Sequence, residues 1–210
     1  MSYKIKTAGP HTLLYVMAAD AEYGPHLQKS ISPLFTGVGP VEAAIALTRT
    51  LGDLEAKSAL PDFVISLGSA GSRELTQTHI YQASHVSYRD MDASLLGFEK
   101  GTTPFLDLSA ELELFPLLPA TQKATLSTGA KVISGSDYNN IDAQMVDMET
   151  FALKRTCQTF DLPLIALRGI SDGKHALTGL LSWTQYLHII DEKLAVAVSQ
   201  LEKTLKNTQL

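Results

Sequence analysis

Three short apolar runs, each ending in small or polar residues, constrain the fold of this chain more than any other feature. They are residues 13–19, 63–67 and 164–167, and the last has Pro163 before it and Gly169 shortly after it. Continuous apolar runs of this length are typical of strands that are buried on both faces. Further strands are predicted at residues 34–36, 80–88 and 131–133.

Helical patterns lie between these runs. Pro40 suits a first helical position and begins an alanine-rich segment that extends through Leu51. Helices are also predicted at residues 106–118, 150–160 and 182–205, and the last is amphipathic, which favours packing on a sheet rather than on a membrane. Strands that alternate with helical segments predict an α/β fold of βα units with a largely parallel sheet.

Composition excludes several classes of function. With 210 residues and 45% hydrophobic content, the chain can bury one sizeable core, and a single α/β domain over residues 1–210 is expected. The net charge is -5 and Lys and Arg are scattered, so we expect no nucleic-acid partner. The apolar run at residues 13–19 is too short to span a bilayer, which predicts no membrane partner.

Cysteine and histidine usage bears on location and cofactors. Cys157 is the one cysteine, which excludes an internal disulfide and fits a reducing cytoplasm. The six histidines do not lie at ligand spacing with Asp90, Asp92 or Cys157. We therefore expect neither a metal nor a cofactor.

Charged residues follow the ends of predicted strands, where open α/β sheets bind ligands. Asp147 and Glu149 stand before a predicted helix, and Arg168 and Asp172 come at the end of the strand after it. Glu22 follows the first strand. From the local pattern alone, an acid that stabilises a helix start explains Glu22 best.

Two glycine turns also follow predicted strands. The turn at residues 37–39 nearly matches the dinucleotide-binding fingerprint, but Glu42 occupies the third glycine position. The turn at residues 68–72 could present amides and hydroxyls to a ligand, or it could be a tight turn that needs glycine. No Gly-x-Ser-x-Gly sequence occurs there or at residues 134–136, so a serine-hydrolase triad lacks support.

The order of these motifs resembles the nucleoside phosphorylase and nucleosidase superfamily, and most closely its 5'-methylthioadenosine/S-adenosylhomocysteine nucleosidases. The matching segments extend over nearly the whole chain and are residues 16–22, 36–41, 67–71, 88–92, 97–98, 134–138, 146–149 and 168–172. The resemblance implies a three-layer α/β/α fold with a mixed, partly barrel-like central sheet. It also implies an enzyme of methionine salvage in which water cuts the N-glycosidic bond of an adenine nucleoside.

The resemblance further implies roles for the acids. Asp172 matches the general acid that protonates N7 of adenine, and Glu22 matches the residue that activates water, which outweighs the helix-start interpretation. Glu149 matches the acid that accepts hydrogen bonds from the ribose hydroxyls, and Met148 matches the thioether packed against the sugar. A carboxyl group that must stay protonated near neutral pH needs burial or a hydrogen-bonding neighbour, and Ser171 is the expected neighbour of Asp172.

Arg168 matches the residue that orients Glu149 and the water. A buried arginine without a carboxylate partner would be costly, so Glu149 is its expected partner. On this interpretation Asp147 has no direct role.

Further matches concern the sugar, the purine and the 5' group. Ser69 matches a small residue near the sugar and the water. Tyr138 is expected to stack on the purine, while the Asn139 backbone reads the purine edge. Val38 and Trp183, the latter in place of the usual phenylalanine, fall on positions of the 5' pocket, although an ordinary place in the core would explain them equally well.

Two regions bear on the choice between water and phosphate, and one residue bears on the choice of purine. The superfamily's phosphorylases hold phosphate with arginines in the first loop and before the second glycine turn. Here Asp20, Glu22 and Ser66 occupy those regions, which favours hydrolysis. An aspartate at position 172, rather than an asparagine, favours a 6-aminopurine in the family's pattern.

The chain also departs from the family. The segments between residues 22 and 37 and between residues 138 and 146 are shorter than usual, so a different 5'-modified adenine nucleoside is a second candidate substrate. A phosphate-dependent purine nucleoside phosphorylase and a catalytically silent nucleoside-binding protein also stay open as functions of such a chain. Because a second subunit completes the family's 5' pocket, the resemblance implies a homodimer.

Overall fold

The computed structural model describes residues 3–173 and 175–207 of the chain. Its strands are β1 (Lys6–Ala8), β2 (His11–Met17), β3 (Leu34–Phe35), β4 (Phe63–Gly71), β5 (Ile80–Tyr88), β6 (Glu111–Glu113), β7 (Gln122–Thr128), β8 (Met145–Asp147) and β9 (Leu164–Asp172). Its helices are α1 (Pro25–Gln28), α2 (Pro40–Glu55), α3 (Thr150–Thr159), α4 (Leu180–Thr184) and α5 (Leu187–Asn207). The predicted α/β class is confirmed.

Five strands close into a barrel at the centre of the sheet. The ring runs β4, β8, β7, β5, β9 and back to β4. Three of its pairs are parallel, while β4 with β8 and β5 with β9 are antiparallel. Outside the ring, β2 pairs in parallel with β4, and β1 and β3 flank β2. The mixed, partly barrel-like sheet is therefore confirmed.

Strand β2 shows how the sequence builds three layers. Leu14 and Val16 belong to one apolar core, to which α2 and α3 contribute, whereas Tyr15 and Met17 belong to a second core with α5. This alternation follows from the strand period of two residues. Helices thus cover both faces of the sheet, as the three-layer prediction requires. Within residues 3–173 and 175–207, no helix combines the length and apolarity needed to cross a membrane.

Some predicted elements are wrong. Residues 106–118 do not form a helix, because residues 111–113 pair as β6 with the edge of β5. Leu112 and Leu114 are buried there and alternate with the exposed residues Glu111, Glu113 and Phe115, which is the strand period rather than the helical one. Residues 131–133 are not a strand. The strand in this region is β7, in which polar residues surround Ala124 and Leu126, so that it has no continuous apolar run.

Residues 68–71, predicted as part of a turn, are instead the last residues of β4, and the pairing of β4 with β9 brings them beside the end of β9. In the parallel register, Gly68 lies opposite Arg168 and Ser69 lies opposite Gly169. After an irregularity, Gly71 lies opposite Asp172. The carboxyl ends of these neighbouring strands therefore meet on the same edge of the barrel.

Candidate active site

A cavity of about 420 Å³ lies at the carboxyl ends of β2, β4, β8 and β9. This volume is within the range of about 300–1,000 Å³ that small-molecule sites occupy. Most of the residues that the sequence predicts for the site line it, namely Glu22, Val38, Ser69, Met148, Glu149, Ser171, Asp172 and Trp183. Residues that lie far apart in the sequence are thus brought around one space.

Glu22 lies in the short segment that follows β2 and is held there by the carboxyl end of β4. It is 7% exposed, and its Oε1 accepts hydrogen bonds from the Ser69 amide at 2.6 Å and the Ser69 hydroxyl at 2.7 Å. Gly68 allows this approach, because a Cβ there would lie 3.3 Å from both carboxylate oxygens. Burial raises the pKa of Glu22, while the bonds from Ser69 and the charge of Arg168 oppose that rise. Glu22 is therefore a desolvated carboxyl group with a fixed orientation.

Asp172 ends β9 on the wall of the same cavity. Burial raises the pKa of its carboxyl group, and the hydrogen bond from Ser171 partly offsets that rise. The Ser171 hydroxyl donates to Asp172 Oδ1 at 2.5 Å, which is the predicted contact between these neighbours. Desolvation is the physical means by which a carboxyl group stays protonated at higher pH than usual.

Glu149 immediately precedes α3 and faces the first glycine turn. Its Oε1 accepts a hydrogen bond from the Gly39 amide at 2.8 Å. Gly39 has φ of 98°, a conformation that favours glycine. Burial, together with the charge of Asp147, raises the pKa of Glu149 to about 7. Glu149 therefore changes its charge near neutral pH.

Arg168 pairs with Asp147 and not with Glu149, which corrects the sequence prediction. Its Nη2 and Nε lie 3.0 and 3.1 Å from Asp147 Oδ2, and the two side chains are 3% and 1% exposed. The hydroxyls of Thr128 and Thr150 also donate to Asp147. The reason is geometric, because Asp147 ends β8 with its side chain buried, while Glu149 turns to Gly39. Asp147 is thus the counter-ion of Arg168.

A second, much smaller cavity lies behind the first. Its volume is about 10 Å³, close to what one water molecule needs. Glu22, Glu149 and Arg168 all contribute to its wall. Arg168 lines this small cavity and not the large one, so its position differs from that of the other predicted site residues.

Tyr138 and Asn139 are not among the residues that line the large cavity. The Tyr138 ring is 4% exposed and packs with Ile133 and Val146, and its hydroxyl lies so close to Gly71 that a Cβ there would collide with it. The Asn139 side chain accepts a hydrogen bond from Arg73 at 2.7 Å. The structure therefore does not bring this pair to the cavity wall, and their contact with a purine stays a prediction.

Arg89 is a cavity residue that the sequence patterns do not mark as functional. Its guanidinium donates to the carbonyl oxygens of Ser127, Gly129, Lys131 and Asp147. These bonds hold the segment after β7 against the end of β8, and that segment forms one wall of the cavity. The one available signal was the position of Arg89 directly after a predicted strand.

The other charged groups at the cavity are engaged. Lys131 forms an ion pair with Asp137 at 2.6 Å. Within the described part of the chain, no three His, Cys, Asp or Glu side chains are grouped as ligands of a metal ion would be. The polar chemistry of the cavity thus rests on three carboxyl groups, Glu22, Glu149 and Asp172, around one space.

Comparison with solved structures gives the same architecture. The chain superposes with a TM-score of 0.77 on the 5'-methylthioadenosine/S-adenosylhomocysteine nucleosidase of Colwellia psychrerythraea 34H in complex with adenine, at 20% identity, covering 94% of this chain and 97% of that one. Futalosine hydrolase of Helicobacter pylori strain 26695 superposes with a TM-score of 0.75 at 18% identity, covering 91% and 97%. At these identities the superpositions show the fold alone.

Sequence comparison identifies the family. No family model matches the chain. The 5'-methylthioadenosine/S-adenosylhomocysteine nucleosidase of Haemophilus influenzae (strain 86-028NP) is 30% identical over 164 residues, which are 69% of this chain and 69% of that protein. With this identity, this coverage and the shared fold, the chain belongs to the 5'-methylthioadenosine/S-adenosylhomocysteine nucleosidase family.

Proposed function

We propose that this protein hydrolyses the N-glycosidic bond of an adenine nucleoside of the 5'-methylthioadenosine and S-adenosylhomocysteine type, as its family's name indicates. The observation that carries the proposal is the pair of desolvated carboxyl groups, Glu22 and Asp172, on the wall of one cavity. Hydrolysis of this bond needs a group that receives a proton from water and another that gives a proton to the leaving base.

Asp172 is the proton donor in this proposal. As the bond from the anomeric carbon to N9 breaks, its electron pair moves onto the purine, and Asp172 delivers a proton to N7 so that adenine leaves as a neutral molecule. The raised pKa of the Asp172 carboxyl group favours the protonated form that this step requires. Ser171 fixes the orientation of the carboxyl group through its bond to Oδ1.

Glu22 is the group that activates water. A water oxygen attacks the anomeric carbon, and the Glu22 carboxylate receives the water proton. The bonds from Ser69 oppose the effect of burial and support the ionised form of Glu22. The small cavity beside Glu22 has about the volume of one water, which supports a defined position for it, with Arg168 supplying positive charge nearby.

Glu149 and Met148 complete the sugar site. The Glu149 carboxylate accepts hydrogen bonds from the ribose hydroxyls, and the hydrogen bond from the Gly39 amide to Oε1 holds the carboxylate in place. The Met148 thioether packs on the apolar face of the ribose. Arg168 acts indirectly, because its charge is paired with Asp147.

Water is favoured over phosphate by the charges of the site. Arg89 and Lys131 are the cationic side chains on the cavity wall in the described part of the chain, and both are engaged, by backbone carbonyls and by Asp137 respectively. A phosphate dianion near Glu22 would therefore meet a carboxylate without a free cation to pair with.

The 5' group and the partner subunit share one end of the cavity. Val38 and Leu180 line it, yet they are 54% and 71% exposed. We propose that the 5' substituent contacts this apolar region and that a second copy of the chain covers it in a homodimer. The buried, unpaired thiol of Cys157 supports a reducing, cytoplasmic location.

The direct test is incubation with 5'-methylthioadenosine in phosphate-free buffer, followed by measurement of free adenine. We expect adenine and the free sugar in equal amounts, with no dependence on phosphate. Adenine release only after phosphate is added would instead indicate a phosphorylase. A panel of adenine nucleosides with different 5' groups identifies the preferred substrate, and the absence of any base release from the panel would contradict the proposal.

A further inference from the structure

Trp183 is bonded to the residue that holds Glu22. Its indole Nε1 lies 3.0 Å from Ser69 Oγ, and Ser69 Oγ lies 2.7 Å from Glu22 Oε1. The three side chains thus form a continuous hydrogen-bonded chain from α4, through β4, to the segment that follows β2. All three also line the large cavity.

The chemistry of the indole fixes the direction of this chain. An indole N–H can only donate, so Ser69 Oγ must accept the bond from Trp183. A serine hydroxyl has a single hydrogen, whose direction is otherwise free to rotate. With one lone pair of Oγ occupied by Trp183, the hydroxyl hydrogen is directed to Glu22. A phenylalanine at position 183 would remove one of the two contacts that orient the hydroxyl and leave the Glu22 carboxylate as the other.

We propose that Trp183 is a positioning residue for the water-activating carboxylate, acting through the Ser69 hydroxyl on Glu22. This inference rests on the proposed function of Glu22 as the group that activates water. Trp183 therefore has a second role beyond contact with the substrate, because its N–H orients the donor that stabilises the Glu22 carboxylate.

The position of α4 links this chain of hydrogen bonds to the wall of the cavity. Leu177, Gly179 and Leu180 line the cavity beside Trp183, so the segment that contacts the ligand is the same one that carries the indole. Correct placement of that segment and correct orientation of Ser69 are consequently coupled.

The other charged groups that act on Glu22 are Arg168 on β9 and Glu149 before α3, and neither is bonded to Ser69.

The first test is Trp183→Phe, which keeps an aromatic ring and removes the N–H. A single neutral hydrogen bond is worth a factor of roughly 2 to 12 in an equilibrium. We expect kcat/KM for 5'-methylthioadenosine to fall by about this factor at acid pH. We expect a smaller loss at alkaline pH, because the acid limb of the pH profile moves to higher pH when Glu22 loses support.

A double-mutant cycle separates this role from simple packing. Ser69→Ala removes the group that connects Trp183 to Glu22. In the Ser69→Ala background, Trp183→Phe should leave the acid limb of the pH profile where Ser69→Ala alone places it. If Trp183→Phe moves the profile equally in both backgrounds, the indole does not act through Ser69 and the inference is wrong.

A spectroscopic test does not depend on turnover. Trp183 is the one tryptophan of the chain, so intrinsic tryptophan fluorescence reports on its environment alone. The substrate-free protein should show a pH-dependent change in emission that Glu22→Gln and Ser69→Ala both abolish. Glu149→Gln is the matched control and should retain the change.

The outcomes distinguish the two proposals. A wild-type protein that releases no adenine but shows the Glu22-dependent change in emission would keep the hydrogen-bonded chain and contradict the catalytic assignment. An emission that does not change with pH, or that changes equally in Glu22→Gln, would overturn the link between Trp183 and Glu22, whatever the activity.

Discussion

Arg168 and Asp147 form a buried ion pair behind the active-site cavity, with Nη2 and Oδ2 3.0 Å apart. Asp147 also accepts hydrogen bonds from the hydroxyls of Thr128 and Thr150 and from the Thr150 amide. Arg168 also donates to Ser66 and to the Leu167 carbonyl. Because both charges have left water, each depends on the other.

Removal of Asp147 should therefore destabilise the protein strongly. We expect Asp147→Ala to lower the free energy of unfolding by about 3–5 kcal/mol, because it leaves the Arg168 charge buried without a counter-ion. Urea unfolding monitored by circular dichroism measures this. Asp53→Ala, at an exposed position of α2, is the control and should cost less than about 1 kcal/mol. Equal effects of the two substitutions would contradict the importance of the pair.

Asp172→Asn should remove the proton donor while keeping the shape of the site. We expect kcat for adenine release to fall by about 10²- to 10⁴-fold, the usual contribution of general acid catalysis, with KM changed only a few-fold. Asp142→Asn, at an exposed position outside the cavity wall, should retain full activity. An active Asp172→Asn variant would show that adenine leaves without this proton.

The pKa of Glu149 predicts a pH-dependent contribution to stability. The folded protein holds this proton with a pKa of about 7, against the ordinary value of 4.5. Its contribution is therefore fully present below pH 4.5 and is lost as the pH rises through 7. Glu149→Gln cannot ionise, so its free energy of unfolding relative to wild type should increase by up to about 3 kcal/mol between pH 4.5 and about pH 8.

Urea unfolding of both proteins at a series of pH values measures this difference. The substrate-free proteins should be used, because a ligand bound at Glu149 would shift its proton affinity. A difference that stays constant across this pH range would show that Glu149 keeps an ordinary pKa in the folded protein.

Asp191 ties the segment after Glu22 to the C-terminal helix. It is almost fully buried, and its carboxylate accepts hydrogen bonds from the amides of His26 and Leu27 at 2.9 and 3.1 Å, with His26 Nδ1 also at 2.9 Å. We expect Asp191→Ala to reduce the free energy of unfolding by about 2–4 kcal/mol, since it leaves buried donors without an acceptor.

The neighbouring substitution Glu192→Ala is the matched control, because Glu192 is exposed on the same helix. It should change the free energy of unfolding by less than about 1 kcal/mol. Chemical unfolding of the two variants side by side provides the measurement, and a Glu192→Ala effect as large as that of Asp191→Ala would argue for a general weakening of α5.

The sequence predicts those parts of the fold whose residues carry a local pattern. Strand β5 is predicted with its observed bounds, and α2 begins at Pro40 as expected. Strand β7 escapes prediction because the barrel buries polar residues there, so its sequence shows no apolar run. Residues 106–118 mislead because prolines and scattered leucines imitate a helical period, while pairing with β5 decides their structure.

The candidate site divides in the same way. The order of the motifs predicts that Glu22, Glu149 and Asp172 share one site, and all three line one cavity. The carboxylate partner of Arg168 depends on side-chain directions, which the spacing of residues in the sequence does not give. Asp147 and Glu149 are two residues apart, and the irregular backbone at Glu149 sends their carboxyl groups to different partners. The position of Tyr138 likewise depends on the shortened loop that follows it, and a motif match carries no information about the path of that loop.

The parallel pairing of β4 with β9 has a consequence for how such a protein can change its substrate. Ser69, which holds the proposed base Glu22, and Asp172, the proposed acid, belong to adjacent central strands whose separation is fixed by backbone hydrogen bonds at about 4.8 Å. The rim segments that surround the 5' end of the cavity do not set that separation. Loops of the rim can therefore lengthen, shorten or exchange residues and admit new 5' groups, while the reacting centre keeps its dimensions.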